Sequence, residues 1–155
     1  MIKTNPMRIL DSKKIKYKVY DYSATPFTDG KEVADCLKED YSICFKTIVT
    51  KGKSNQHYVF MLPVDKELDL KKCAKAVDEK NIELIHLKEL FSLTGYVHGG
   101  CSPLGMKKEF KTVIDESILD KNVIIFSGGK IGYQIEISLL DLKDKFNFTF
   151  FNITL

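Results

Sequence analysis

A chain of 155 residues is enough for one domain with a real core, because a domain of this size buries about 68–70% of the surface its unfolded chain exposes. Its 44% apolar and 29% charged residues are those of a soluble globular protein, and no run approaches the roughly 18 apolar residues of a membrane-spanning helix. A net charge of +3 is too small to argue for nucleic acid, although lysines cluster at 13, 14, 16 and 18, at 71, 72 and 75, and at 107, 108 and 111. The start Met1-Ile2-Lys3-Thr4-Asn5 carries no signal-peptide pattern, so a cytoplasmic location with no membrane partner is expected. The cysteines at 36, 44, 73 and 101 form no C-x-x-C pair. That spacing gives no sign of a zinc or thioredoxin-type site, so reduced, mostly structural thiols and neither metal nor cofactor are expected.

In chain order, Thr4 or Asn5 caps a helix with Pro6 in its first turn, running to Ile15. Tyr17, Val19 and Tyr20 read as a short strand, followed by an irregular Asp21–Gly30 stretch and a helix capped by Asp29 with Val33, Ala34 and Leu37 as its stripe. Phe45–Thr50 and His57–Leu62 flank Gly52-Lys53-Ser54-Asn55 and predict a hairpin at the centre of the sheet. Asp69 caps a helix through Val77, and another over Leu87–Leu93 ends at Gly95 in a left-handed cap. Phe110–Ile114, Val123–Ser127 and Ile131–Ile137 read as strands, the last two joined through Gly128-Gly129-Lys130. Ser138 caps a Leu139–Phe146 helix, and Phe148–Ile153 makes a final edge strand. Helices and strands mix without strict alternation, which predicts an α+β domain with a mixed sheet over residues 1–155.

The run from Gly95 to Lys108 packs four glycines, a proline and two lysines into fourteen residues. Gly99 and Gly100 can take positive φ and leave no side chain between backbone and guest, so consecutive N–H groups can converge on an oxyanion or phosphate. Cys101 and Ser102 add polar atoms, Pro103 stiffens the exit, and Lys107 and Lys108 bring positive charge. A connecting turn with no guest is the plain alternative.

Phe45-Lys46-Thr47, Glu67-Leu68-Asp69-Leu70-Lys71-Lys72, Leu93-Thr94-Gly95-Tyr96-Val97 through Pro103-Leu104-Gly105-Met106-Lys107-Lys108, and Ser127-Gly128-Gly129-Lys130 with Ile131-Gly132 occur in an order and spacing that resemble the YbaK family of aminoacyl-tRNA deacylases. The resemblance runs from about Thr4 to Leu142 and extends to the editing domain of bacterial prolyl-tRNA synthetases. It implies a mixed, partly barrel-like sheet surrounded by helices. It also implies a free-standing enzyme that hydrolyses mischarged Cys-tRNA(Pro), and Cys-tRNA(Cys), in trans. The partners it implies are the acceptor end of aminoacyl-tRNA and prolyl-tRNA synthetase; oligomeric state stays open.

Residue by residue, the resemblance makes Lys46 the functional lysine, Gly99 to Pro103 the G-x-x-x-P loop with Gly100 as oxyanion donor, and Ser127 the serine before the Gly-Gly-Lys turn. These three, Lys46, Gly100 and Ser127, form the expected catalytic set. Tyr20, Thr47, Gly99, Cys101, Ser102, Pro103 and Gln134 form the expected substrate-binding set. Relatives can carry an acid where Gln134 stands, so no carboxylate role transfers and Gln134 can only position groups. His98, three residues before Cys101, suggests a thiol nucleophile, but loop spacing does not fix a Cys–His hydrogen bond. Without an obvious general base, the resemblance implies that the cysteinyl thiol of the substrate attacks its own ester. Two rivals stand beside this reading: editing of another amino acid, such as Ala-tRNA(Pro), by a bound water, and a non-catalytic tRNA- or synthetase-binding module.

Overall fold

The computed structural model describes residues 2–155. Its elements in chain order are α1 (Asn5–Ser12), β1 (Lys18–Asp21), α2 (Gly30–Cys36), β2 (Phe45–Gly52), β3 (His57–Pro63), α3 (Leu70–Ala76), β4 (Ile82–Leu84), α4 (Leu87–Thr94), β5 (Lys111–Asp115), a 3₁₀ turn (Glu116–Asp120), β6 (Val123–Ser127), β7 (Tyr133–Ser138), α5 (Leu139–Lys145) and β8 (Thr149–Phe151). The caps follow the sequence. Thr4, Asp29, Asp69 and Ser138 each accept from an N–H in the first turn of the helix that follows. Gly95, at φ 84°, closes α4.

The strands form an α+β arrangement of two sheets, ordered β1-β7-β6 and β4-β2-β3-β5-β8. The β2–β3 hairpin lies inside the larger sheet, as predicted, and β5 extends it in parallel to β3. Strand β3 is buried nearly throughout because both its faces are covered. Met61 meets Met7 and Leu10 of α1 and Ile135 and Ile137 of β7 in the core between the sheets, whereas Phe60 packs on Cys73 and Ala74 of α3.

The barrel-like closure expected from the resemblance does not occur. Among the described residues the sheets meet through a single parallel bridge, Cys44 to Ile125, with the Ile125 N–H donating to the Ile43 carbonyl at 2.8 Å. One bridge leaves β1, β4 and β8 as edges. Helix α1 stops at Ser12, three residues before the expected end, and Lys14 at φ 59° turns the chain. Strand β7 starts at Tyr133, two residues later than expected, since Gly132 at φ 105° still belongs to the turn.

Two turns are clamped by the start of α1. The Asn5 amide donates to the Gly105 carbonyl at 3.2 Å, and the Thr4 hydroxyl donates to the Gly128 carbonyl at 2.5 Å. A Cβ at Gly129 would lie 2.7 Å from the Pro6 ring. The helix start therefore holds the exit of the glycine loop and the β6–β7 turn together, and these follow Cys101 and Ser127, two residues that line the cleft described next.

Candidate active site

Where the two sheets meet, a cleft of about 280 Å³ opens between the start of β2, the end of β6, the head of α2 and the glycine loop. Of the residues singled out from sequence, Lys46, Thr47, Gly99, Cys101, Ser127 and Gln134 line it together. Ser127 and Gln134 are cross-strand partners on β6 and β7, so the sheet register places them side by side. Tyr20, Gly100, Ser102 and Pro103 do not line it. The Tyr20 hydroxyl donates to Glu136 at 2.9 Å, and Ser102 is fully buried with its hydroxyl accepting from the Leu104 N–H at 3.1 Å. Pro103 faces a different groove.

The loop is braced from inside. The Tyr96 hydroxyl donates to the Leu104 carbonyl at 2.5 Å, and the Thr94 hydroxyl accepts from the Tyr96 N–H at 3.0 Å. Gly99 has φ 88°, as anticipated, but Gly100 is not in the left-handed region. Gly100 is required for another reason: a Cβ there would lie 2.9 Å from the backbone nitrogen of Ile131. Its N–H donates to the Val97 carbonyl at 3.0 Å, closing a turn instead of pointing at a guest. Among the described residues, the N–H groups of Gly99 and Cys101 donate to no protein acceptor. Lys107 and Lys108 are not cleft cations either, because Lys107 lies over the Phe91 ring at 5.0 Å and Lys108 borders the other groove.

The electrostatics of the cleft are sparse. Lys46 is half-buried and makes no ion pair among the described residues. The Thr47 hydroxyl is buried without a partner among the described residues, an unmet hydrogen-bonding capacity at the cleft wall. Burial pushes the Cys101 thiol up to about 12, which disfavours the thiolate a nucleophile requires. Gln134, with its amide nitrogen turned toward Glu39, donates to both carboxylate oxygens at 3.0 and 2.9 Å. Burial raises the Glu39 carboxyl above its ordinary value, while the Cys44 thiol also donates to it at 3.1 Å.

Tyr22, Thr28, Asp29 and His98 also line the cleft, outside the expected catalytic and substrate-binding sets. Asp29 also caps α2, its carboxylate accepting from the Glu32 N–H at 3.3 Å. His98 is exposed on the rim. Among the described residues, no cluster of three or more His, Cys, Asp or Glu side chains could hold a metal ion. No helix among them is long and apolar enough to cross a membrane.

Comparison with known proteins adds to this geometry. The model of a family described as the aminoacyl-tRNA editing domain matches residues 26–145. Over 137 residues the chain is 43% identical to EbsC of Enterococcus faecalis, whose name is that of a Cys-tRNA(Pro)/Cys-tRNA(Cys) deacylase, covering 88% of this chain and 84% of that one. Over 119 residues it is 27% identical to the proline–tRNA ligase of Lactobacillus johnsonii, with 76% of this chain matching 21% of the ligase. Among solved structures, the hypothetical protein APE2540 superposes with a TM-score of 0.89 at 19% identity, covering 98% of this chain and all of that one. A structure described as a trans-editing enzyme for prolyl tRNA synthetase superposes with a TM-score of 0.83 at 20% identity, covering 100% and 99%. At such identities these two structures show a shared fold.

Proposed function

Because the chain belongs to the family of aminoacyl-tRNA editing domains, we propose that it is a trans-editing deacylase that removes cysteine from mischarged Cys-tRNA(Pro), and from Cys-tRNA(Cys). The observation that carries this reading is one cleft bringing Lys46, Ser127, Gln134 and the Gly99–Cys101 loop together in a chain 43% identical to a protein named for that activity. At about 280 Å³ the cleft lies just below the roughly 300–1,000 Å³ of drug-sized ligand sites, a size suited to a small aminoacyl group.

In this reading the Lys46 ammonium anchors the terminal phosphate or the ester end of the substrate, and the Gly99 and Cys101 N–H groups face the ester oxygen. A donor placed there stabilises the developing oxyanion by about 2.7–4 kcal/mol. Gly100 contributes the close approach to Ile131 that shapes the loop. The thiol of the substrate attacks its own carbonyl: an S–C bond forms, the ester C–O bond breaks, and the thiol proton passes to the ribose 3′-oxygen. Orientation of this intramolecular step is worth up to about 7–11 kcal/mol. Deacylation of Cys-, Ser- and Ala-tRNA(Pro), measured side by side, tests the reading. Cys-tRNA(Pro) should react at least several-fold faster, because serine offers a weaker nucleophile and alanine none. Equal rates for all three would replace substrate sulfur with a bound water.

A further inference from the structure

The glycine loop borders a second and larger opening, a groove of about 350 Å³ walled by Pro103 to Met106 and by the ends of α1 and α5. Lys13, Lys108 and Lys145 reach it from three separate parts of the chain, against one carboxylate, Glu109. All three lysines are exposed, so they face water without a partner carboxylate among the described ion pairs. Aromatic rings lie between them. Phe146 and Phe148 stack with centroids 5.4 Å apart and planes 9° from parallel, and Phe110, also half-buried, forms part of the same wall. The Lys13 ammonium rests over the Phe146 ring at 5.3 Å.

Cations interleaved with aromatic faces are the pattern that takes phosphates and stacked bases of a single strand, whereas a merely solvated lysine face has no use for rings. Position supports the same occupant. Cys101 lines the cleft and Pro103 the groove, and two residues of chain put their Cα atoms at most about 7.6 Å apart. We propose that this groove binds the unpaired nucleotides that precede the 3′-terminal nucleotide of an RNA, with bases against Phe146 and Phe148 and phosphates on Lys13, Lys108 and Lys145. Entry of a base moves Lys13 from the ring face to a phosphate. The choice of an RNA 3′ end rests on the editing reading above; the cation and ring arrangement does not.

The test is fluorescence anisotropy with an uncharged, labelled RNA hairpin that ends in four unpaired 3′ nucleotides, beside the same hairpin with a blunt end. A triple Lys13→Gln, Lys108→Gln, Lys145→Gln variant should bind the tailed hairpin roughly tenfold or more weakly, with the slope of log affinity against log salt reduced by about 2, and should leave the blunt hairpin unaffected. Phe148→Leu, which keeps the groove wall apolar, should weaken the tailed hairpin several-fold with the salt slope unchanged. In deacylation assays the loss should fall on KM rather than kcat. Equal losses for both hairpins, no loss for the tailed one, or a loss confined to kcat would overturn the proposal. Since the binding measurement needs no turnover, a protein that binds tailed RNA through these residues yet deacylates nothing would remove the editing reading and leave the groove standing.

Discussion

Lys46 is a strand lysine with no carboxylate partner among the described residues, so its loss has little to do to the fold and much to do to the cleft. Lys46→Ala should lower single-turnover deacylation by orders of magnitude while the thermal midpoint barely moves, and a stable, fully active variant would take Lys46 out of the site. Cys101→Ser and Gly100→Val separate the two meanings of the loop. The thiol is buried and its proton is held, so Cys101→Ser should keep most activity. Gly100→Val forces a side chain against the Lys130–Ile131 backbone and should displace the loop, with activity reduced by orders of magnitude. A dead Cys101→Ser beside a competent Gly100→Val, both folded, would return the cysteine to the role of nucleophile. Lys46, Ser127 and Gln134 were legible because the resemblance carried them. Tyr22 and Thr28 were not, because the Asp21–Gly30 stretch has no periodicity. Its place is set by distant contacts, the Tyr22 N–H to the Gly132 carbonyl at 2.7 Å and Thr28 packed against Gly99.

At the scale of elements, sequence and structure agree wherever a cap marks a helix start, since the capping side chain acts within three residues of itself. Strand β4 escaped because its three residues, Ile82 to Leu84, offer no alternation to read; what makes it a strand is pairing with Thr50 to Gly52 of β2. The N-terminus of α1 shows how a local signal acquires a long-range role. Thr4 accepts from the Met7 N–H at 3.4 Å as a cap, yet its hydroxyl also donates across 124 residues to Gly128, one residue after Ser127. Thr4→Val should therefore cost more than an ordinary cap, roughly 1–3 kcal/mol, by leaving a buried carbonyl unsatisfied as well. Thr4→Ser, which keeps both hydrogen bonds, should recover most of that loss in a chemical denaturation series. A full loss for Thr4→Ser beside little loss for Thr4→Val would show that the methyl group, not the hydroxyl, holds the helix to the turn.

For the whole molecule, the cleft opens where the two sheets meet, and the same junction holds a half-buried carboxylate, Glu39, whose contribution to the pH response of the fold is opposite in sign to that of four other acids. Asp11 is held below its ordinary 3.8 by the Lys3 ammonium, Asp21 by the Ser23 hydroxyl and Asp40 by the Ser42 N–H, while the Ser54 hydroxyl lowers Glu79 from 4.5. Their folded forms release protons more readily than the unfolded chain, so this stability is present above about pH 4.5 and is lost as pH falls through the lowered values. Each contribution is small, because the three aspartates are exposed and Glu79 is half-exposed. Glu39 has the opposite sign: burial raises its carboxyl, so its contribution favours the fold below about pH 4.5 and is lost as pH rises through the raised value. Glu39→Gln removes that half-buried charge while an oxygen remains to accept from Cys44 and Gln134. The variant should melt higher than the parent at about pH 7, and the advantage should vanish at about pH 3, where the parent carboxyl is protonated as well. Thermal melts across that range check both arms. A lower midpoint at neutral pH would mean that the hydrogen bonds from Cys44 and Gln134 to a charged carboxylate outweigh its burial, and that the charge itself holds Gln134 at the cleft wall.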